Sequence, residues 1–295
     1  MNLPIETVTG SLSDAVTRQA LDLADAVAEA DGVAAFGETA RQALVAGDPA
    51  VTHVLAWVGD NLVGYGQRDA KSASAELAVI PAERHRGLGQ TLASQLMRGA
   101  APLRWWAHGD LPSAQALAGA LGLQPVREMV LMCATLPSSR ATERTAPPAG
   151  TAWRTFEPGQ DEPAWVQLNA AIFADHPEQG DITLAGLAWR MQQDWFDPSG
   201  FFLAESTEPP GQTHLLGYHW TKVQERVGEV YAIGVLPQAQ GKHLGTALFK
   251  RGLEHMARAG IEQVELYVEA GNAPALAVYQ RQGFQISQRH VQYAQ

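Results

Sequence analysis

The sequence predicts an α/β (α+β) chain built from two tandem domains, on three observations. Glu229-Val-Tyr-Ala-Ile-Gly-Val-Leu-Pro alternates with the two-residue period of a strand, and Gln240-Gly241-Lys242-His243-Leu244-Gly245 then opens a segment with Leu244, Leu248, Phe249, Leu253 and Met256 at helical spacing. The same strand, turn and helix occur earlier, where Glu76-Leu-Ala-Val-Ile-Pro leads to Arg84-x-x-Gly87-x-Gly89 and then to Leu92, Leu96 and Met97. Downstream, Gly122-Leu123 answers to Gly283-Phe284. Internal duplication accounts for all three in step.

In chain order, residues 12 to 47 read as helices, and Val51–Val58 with Asn61–Gln67 as a hairpin around Gly59-Asp60. The first strand–loop–helix follows, then a strand at Leu103–Ala107, a helix at Pro112–Gly119 and a strand over Met129–Thr135. Residues 137–150 are polar and Pro-rich and read as a linker, between a domain at 1–136 and another at 151–295. The second domain repeats the plan: Trp153-Arg-Thr-Phe, helices over Glu162–Phe173 and Leu184–Asp194, strands at Phe201–Glu205 and Leu215–Val223, and then the second loop. Ile261–Val268 puts Val264, Leu266 and Val268 on one strand face with Tyr267 on the other; a helix from Asn272 and a strand over Phe284–Tyr293 close the chain.

Composition narrows the function. The 295 residues suffice for two cores, and 46% apolar content is that of a globular protein. A net charge of −10 argues against a nucleic-acid partner. The single cysteine, Cys133, excludes an internal disulfide and reads as part of a core strand. The nine histidines never fall in metal-ligand spacing, so no metal is expected. The N-terminus lacks a leader pattern and no stretch is long enough to span a membrane, which predicts a cytoplasmic protein, expected to be a monomer.

A strand feeding a small-residue turn at a helix N-terminus is an anion site suited to a pyrophosphate. The spacing differs from G-x-G-x-x-G and from the phosphate loop of NTPases. It resembles Gln/Arg-x-x-Gly-x-Gly, the coenzyme A pyrophosphate loop of the GCN5-related N-acetyltransferases. Arg84-x-x-Gly87-x-Gly89 matches in full, whereas His243 departs from the pattern in the second copy. The resemblance implies in each domain a mixed, mostly antiparallel sheet flanked by helices, with acetyl-CoA as cosubstrate. It implies cofactor contacts in the first copy from Ala78, Val79 and Ile80 of the strand and from Arg86, Gly87, Leu88, Gly89, Gln90 and Thr91 of the loop. In the second copy the strand residues are Ile233, Gly234 and Val235, placed to pair with a pantetheine arm. The loop residues are Gln240, Gly241, Lys242, His243, Leu244, Gly245 and Thr246, and the final helix adds Asn272, Ala273, Pro274, Ala275, Leu276 and Ala277.

Acetyl transfer to an amine needs a base for the ammonium proton and an acid for the leaving thiolate. Glu229 begins the strand that enters the loop and is the candidate general base. Tyr279, in Asn272-x6-Tyr279-x3-Gly283-Phe284, resembles the tyrosine that commonly serves this superfamily as general acid; the alternative is aromatic packing with Phe284. Aligning on Pro81 and Pro237 puts Ala73 opposite Glu229, and aligning on Gly122 and Gly283 puts Ala118 opposite Tyr279. The first domain is therefore expected to bind acetyl-CoA or to scaffold, and the second to catalyse.

His176-Pro-Glu-Gln-Gly180, Trp195–Ala204, His219-Trp-Thr-Lys222 and Leu266-Tyr-Val-Glu-Ala270 lie outside the cofactor motifs. With them, nearly the whole chain resembles the mycothiol synthase family, the tandem acetyltransferases of actinobacteria. That resemblance implies acetylation of the cysteinyl amine of a cysteinyl-glucosaminyl-inositol, a small-molecule thiol pseudo-disaccharide, in the last step of mycothiol synthesis. It implies an acceptor site of Glu38, Glu178, Lys222, Glu229 and Tyr267. Two other functions fit the residues: a tandem acetyltransferase for another amine, such as an aminoglycoside or a peptide N-terminus, and a non-catalytic acetyl-CoA sensor.

Overall fold

The computed structural model describes residues 4–100, 102–137, 139, 142, 144–174, 179–208 and 214–295. Contacts gather the chain into two units, one of residues up to Val130 with Glu269–Gly271 and Gln288–Gln295, the other of Leu131–Val268 with Asn272–Ser287.

In the first unit, β1 (Ile5–Thr9), β2 (Val51–Val58), β3 (Asn61–Asp69) and β4 (Ser74–Val79) form an antiparallel meander. The edge strand β1 is an addition to the sequence reading; five residues with three polar side chains carry little pattern until Ile5 is seen opposite Ala56. Helix α1 (Asp14–Asp31) starts at Ser13, whose side chain accepts from Val16 N–H, and stops at Gly32 in the left-handed region. With α2 (Glu38–Ala46) it covers one sheet face, burying Leu23, Val27, Phe36 and Leu44 against Leu55, Tyr65 and Ala78. On the other face α3 (Leu88–Met97) sets Leu88, Leu92 and Leu96 against Val54, Val63 and Val79. Strand β5 (Arg104–Ala107) pairs with β4 in parallel over Ser74↔Arg104 and Ala75↔Trp105 only, so β4 runs on past the pairing from Glu76 to Val79. Helix α4 (Pro112–Ala120) and β6 (Gln124–Thr135) follow.

The second unit repeats this order. Strands β7 (Thr151–Thr155), β8 (Phe201–Ser206), β9 (Leu215–Gln224) and β10 (Val227–Val235) are successively antiparallel. Between β7 and β8 lie α5 (Glu162–Ile172) and α6 (Leu184–Met191), which close on Phe156, Trp165, Phe201, Tyr218 and Trp220, the aromatic part of a core that also holds Leu168, Leu187, Leu203 and Ala232. Helix α7 (Leu244–Arg258) covers the opposite face through Leu244 and Leu248. Strand β11 (Gln263–Glu269) pairs with β10 in parallel over Val227↔Gln263, Gly228↔Val264 and Glu229↔Glu265, after which β10 continues to Val235. The expected face division of β11 holds: Val264, Leu266 and Val268 are buried and Tyr267 is 45% exposed.

Helix α8 (Ala273–Arg281) leads to β12 (Gln285–Ala294). The end of β12 pairs with β5, Val291↔Ala107 and Tyr293↔Trp105, and so completes the first unit's sheet. The division at 137–150 remains one of chain order. Contacts assign the C-terminal residues otherwise, because a strand's pattern states which face is buried and not which edge it completes.

Candidate functional site

Both Gly-rich loops alternate left-handed residues. In the first, His85 has φ +60° and Gly87 φ +80°; in the second, Gly241 has φ +76° and His243 φ +62°. Gly87 and His243 are the N-caps of α3 and α7. Such alternation turns successive N–H groups towards one side, and the first N–H groups of a helix have no intrahelical acceptor, so each loop has a backbone geometry suited to an anion. Gly89, Gln90 and Thr91 fall in the first turn of α3, and Gly245 and Thr246 in that of α7.

The leading residue of each motif has a different task. Arg84 donates from Nε to Val79 O (2.9 Å) and places its two terminal nitrogens 2.7 and 2.8 Å from the Asp31 carboxylate. Gln240 donates from Nε2 to Val235 O at 3.2 Å, and its backbone N–H to Pro237 O. Each therefore ties its loop back to the strand that feeds it. Arg86 is exposed and pairs with Glu83 at 2.8 Å.

The second unit gathers charge where β10 and β11 part. Lys222 of β9, Glu229 of β10 and Glu265 of β11 are register partners in one row. Lys222 Nζ lies 3.6 Å from Glu229 Oε2, and both side chains are about five-sixths buried, 15% and 16% exposed. The ammonium also sits 5.0 Å from the Trp195 ring centre and 5.4 Å from that of Tyr231. Tyr231 is the extra residue of a bulge between Val230 and Ala232, and its hydroxyl accepts from Arg190 Nε at 2.7 Å. Burial pushes the Glu265 carboxyl up, against the opposing pull of Lys222.

The bulge corrects the alignment of the two copies. Counting along the ladders, Gly64↔Val79 corresponds to Gly217↔Val235, and the extra residue at Tyr231 makes Ser74, not Ala73, the counterpart of Glu229. The first unit carries other groups beyond its own parting. Glu76 accepts from Gly37 N–H at 2.8 Å, His108 Nε2 lies 3.3 Å from its carboxylate, and His108 Nδ1 is 3.3 Å from His290 Nδ1.

Among the expected residues, Glu229 and Lys222 are brought together, with Tyr267 two residues beyond Glu265 on the same strand face. Tyr279 on α8 packs against Phe249 and Phe284, with ring centres 5.2 and 6.3 Å away, and burial pushes its hydroxyl up to about 12. Asn272 caps α8, accepting from Ala275 N–H at 3.1 Å, with Ala273, Pro274, Leu276 and Ala277 in the first turns. Ile233 and Gly234 continue β10 beyond the parting, as Ala78 and Val79 continue β4. Glu38 belongs to the first unit, where it opens α2 after Gly37. Glu178 lies outside the described residues. The sequence reading missed Glu265, Tyr231 and Arg190; Glu229's place on a strand was the only signal, and it needed the partner strands. Among the described residues, no cluster of three His, Cys, Asp or Glu could hold a metal ion, and no helix is long and apolar enough to cross a membrane.

Residues 164–284 match the acetyltransferase (GNAT) family. A mycothiol acetyltransferase of Thermobispora bispora is 45% identical over 276 residues, 90% of each chain. One of Streptomyces bingchenggensis is 43% identical over 300 aligned positions, 98% of this chain and 94% of that one. In fold the chain is similar to a tandem GNAT protein from the clavulanic acid biosynthesis pathway (TM-score 0.73, 20% identity, 99% and 98% covered). It is likewise similar to a GCN5-related N-acetyltransferase from Sphaerobacter thermophilus (TM-score 0.71, 24% identity, 100% and 96% covered).

Proposed function

We infer that this chain, which belongs to the mycothiol acetyltransferase family, transfers acetyl from acetyl-CoA to the cysteinyl amine of a cysteinyl-glucosaminyl-inositol. The observation that carries the reading is the Lys222–Glu229 pair at the last register position of the β10·β11 ladder. There the exposed backbone of β10 can pair with an extended pantetheine arm while the pyrophosphate rests on the loop at 240–246.

In this reading Glu229 takes the proton of the acceptor ammonium. The freed amine nitrogen attacks the thioester carbonyl carbon, the C–N bond forms, and the C–S bond breaks. Tyr279 gives its proton to the departing thiolate and takes up the second proton that the nitrogen sheds to become the amide; burial keeps that hydroxyl protonated at neutral pH. Lys222, with Trp195 and Tyr231 around its ammonium, offers a fixed donor to the hydroxyl-rich acceptor, and Tyr267 stands further along β11; the family resemblance also names Glu178 and Glu38. The first unit keeps a full phosphate loop, but Ser74 stands at the register position of Glu229, and Glu76 is engaged by Gly37 and His108. It binds acetyl-CoA or scaffolds, and the second unit catalyses. The protein acts as a cytoplasmic monomer, without metal, nucleic acid or membrane.

The test is thiol release from acetyl-CoA by the purified protein with cysteinyl-glucosaminyl-inositol, an aminoglycoside and a peptide amine in parallel. Turnover confined to the first acceptor supports the reading; turnover only with another amine removes the substrate and leaves the acetyltransferase.

A further inference from the structure

We propose that Glu265 is a second carboxylate of the acceptor site, gripping the acceptor ammonium jointly with Glu229. This rests on the acetyl-transfer reading above. Glu229 and Glu265 are the last register partners of a parallel ladder, so their side chains leave the same sheet face about 4.8 Å apart at the backbone. Two carboxylates so placed repel one another unless a cation stands with them. The cation in the row, Lys222, lies on β9, beyond Glu229 as seen from Glu265. A lysine and two carboxylates leave a net charge of −1 in the row, the complement of one ammonium.

The surroundings of Glu265 point the same way. Among the described residues its carboxylate accepts no hydrogen bond, although the side chain is half-buried. Half-buried carboxylates ordinarily find a donor, and burial already pushes this one up. The titratable groups around it are Lys222 and Glu229 in the row, Tyr231 with Arg190 on its hydroxyl, and Tyr267 further along β11. On the β6 side, Leu136 N–H bonds to Glu262 O at 2.7 Å, and three residues from that bond Cys133 comes level with Glu265. None of these is a donor seated on Glu265; an incoming ammonium would be one.

The experiment compares the full-length protein with its Glu265→Gln variant, reading KM for acceptor, KM for acetyl-CoA and the pH dependence of kcat/KM for acceptor. Loss of one charge-assisted contact should raise the acceptor KM about 10- to 100-fold and leave that for acetyl-CoA unchanged. The acid limb should move to lower pH, because Glu229 no longer titrates beside a second carboxylate. An unchanged acceptor KM with an unchanged acid limb overturns the proposal. Thermal unfolding guards against misfolding: removing a half-buried charge should hold or raise Tm, and if Gln packs poorly, Glu265→Asp should restore the acid limb while a mere packing role would not. If the wild type prefers another amine, the same ratios are read with that amine, which separates a wrong substrate from a wrong role for Glu265. If it acetylates no amine, both readings fall.

Discussion

Lys222 and Glu229 face one another across the β9·β10 ladder, with Nζ 3.6 Å from Oε2. An ammonium boxed by two aromatic rings, on a side chain that is largely buried, cannot swing away as a surface lysine does, so it fixes where the carboxylate points. Glu229→Gln should lower kcat by about 10²- to 10⁴-fold, the usual worth of a positioned base. Lys222→Met should instead raise the acceptor KM. A double-mutant cycle on kcat/KM should show strong coupling between the two; additivity would mean that they act separately.

Tyr279 tests the acid. Tyr279→Phe keeps the ring against Phe249 and Phe284 and removes only the hydroxyl. Turnover should fall by at least about 10-fold with little change in Tm. Because burial pushes the phenol up to about 12, any basic limb of the rate below pH 10 must come from another group. Unaltered turnover would reduce Tyr279 to core packing.

His243 sits in the left-handed region where the motif has glycine, at φ +62°. A non-glycine residue there costs roughly 1–2 kcal/mol, so His243→Gly should raise Tm by a few degrees. Freed of a side chain at the mouth of the anion site, the loop should also bind acetyl-CoA with a lower KM. Both follow by thermal melting and steady-state kinetics.

Gly252 has no room for a methyl group. A Cβ there would lie 2.0 Å from His219 Cε1, and the His219 ring is held by Nδ1 donating to Leu248 O at 2.8 Å. Gly252→Ala should destabilise the second unit by about 1–3 kcal/mol or more, measured by chemical denaturation. An unchanged midpoint would mean that the ring moves freely.

Acid should unfold the protein early. Burial pushes His219 down to about 4, and burial with the neighbouring His108 does the same to His290. A histidine with a depressed folded pKa stays neutral in the native state while its unfolded form takes up a proton below about 6.5. Stability is therefore full above that pH and falls as pH drops towards 4, by about 1.4 kcal/mol per pH unit for each group. His219 and His290 alone should make urea midpoints decline between pH 7 and 4, and burial, which also lowers His53 and His255, adds to the slope; a flat profile would contradict the buried neutral rings.

The duplication, the two loops, their helices and the placing of Glu229 on a strand were legible in the residues alone. Those features are local: a proline stop, glycines at turn positions and apolar spacing each act within a few residues of chain. The tertiary structure decided what depends on partners far along the chain. Only strand register sets Glu265 beside Glu229, and only the bulge at Tyr231 brings Arg190's partner into the site and makes Ser74 the counterpart of Glu229. The end of β12 completes a sheet with β5 for the same reason: backbone hydrogen bonds join strands by geometry, and the side-chain pattern of either strand does not record its neighbour.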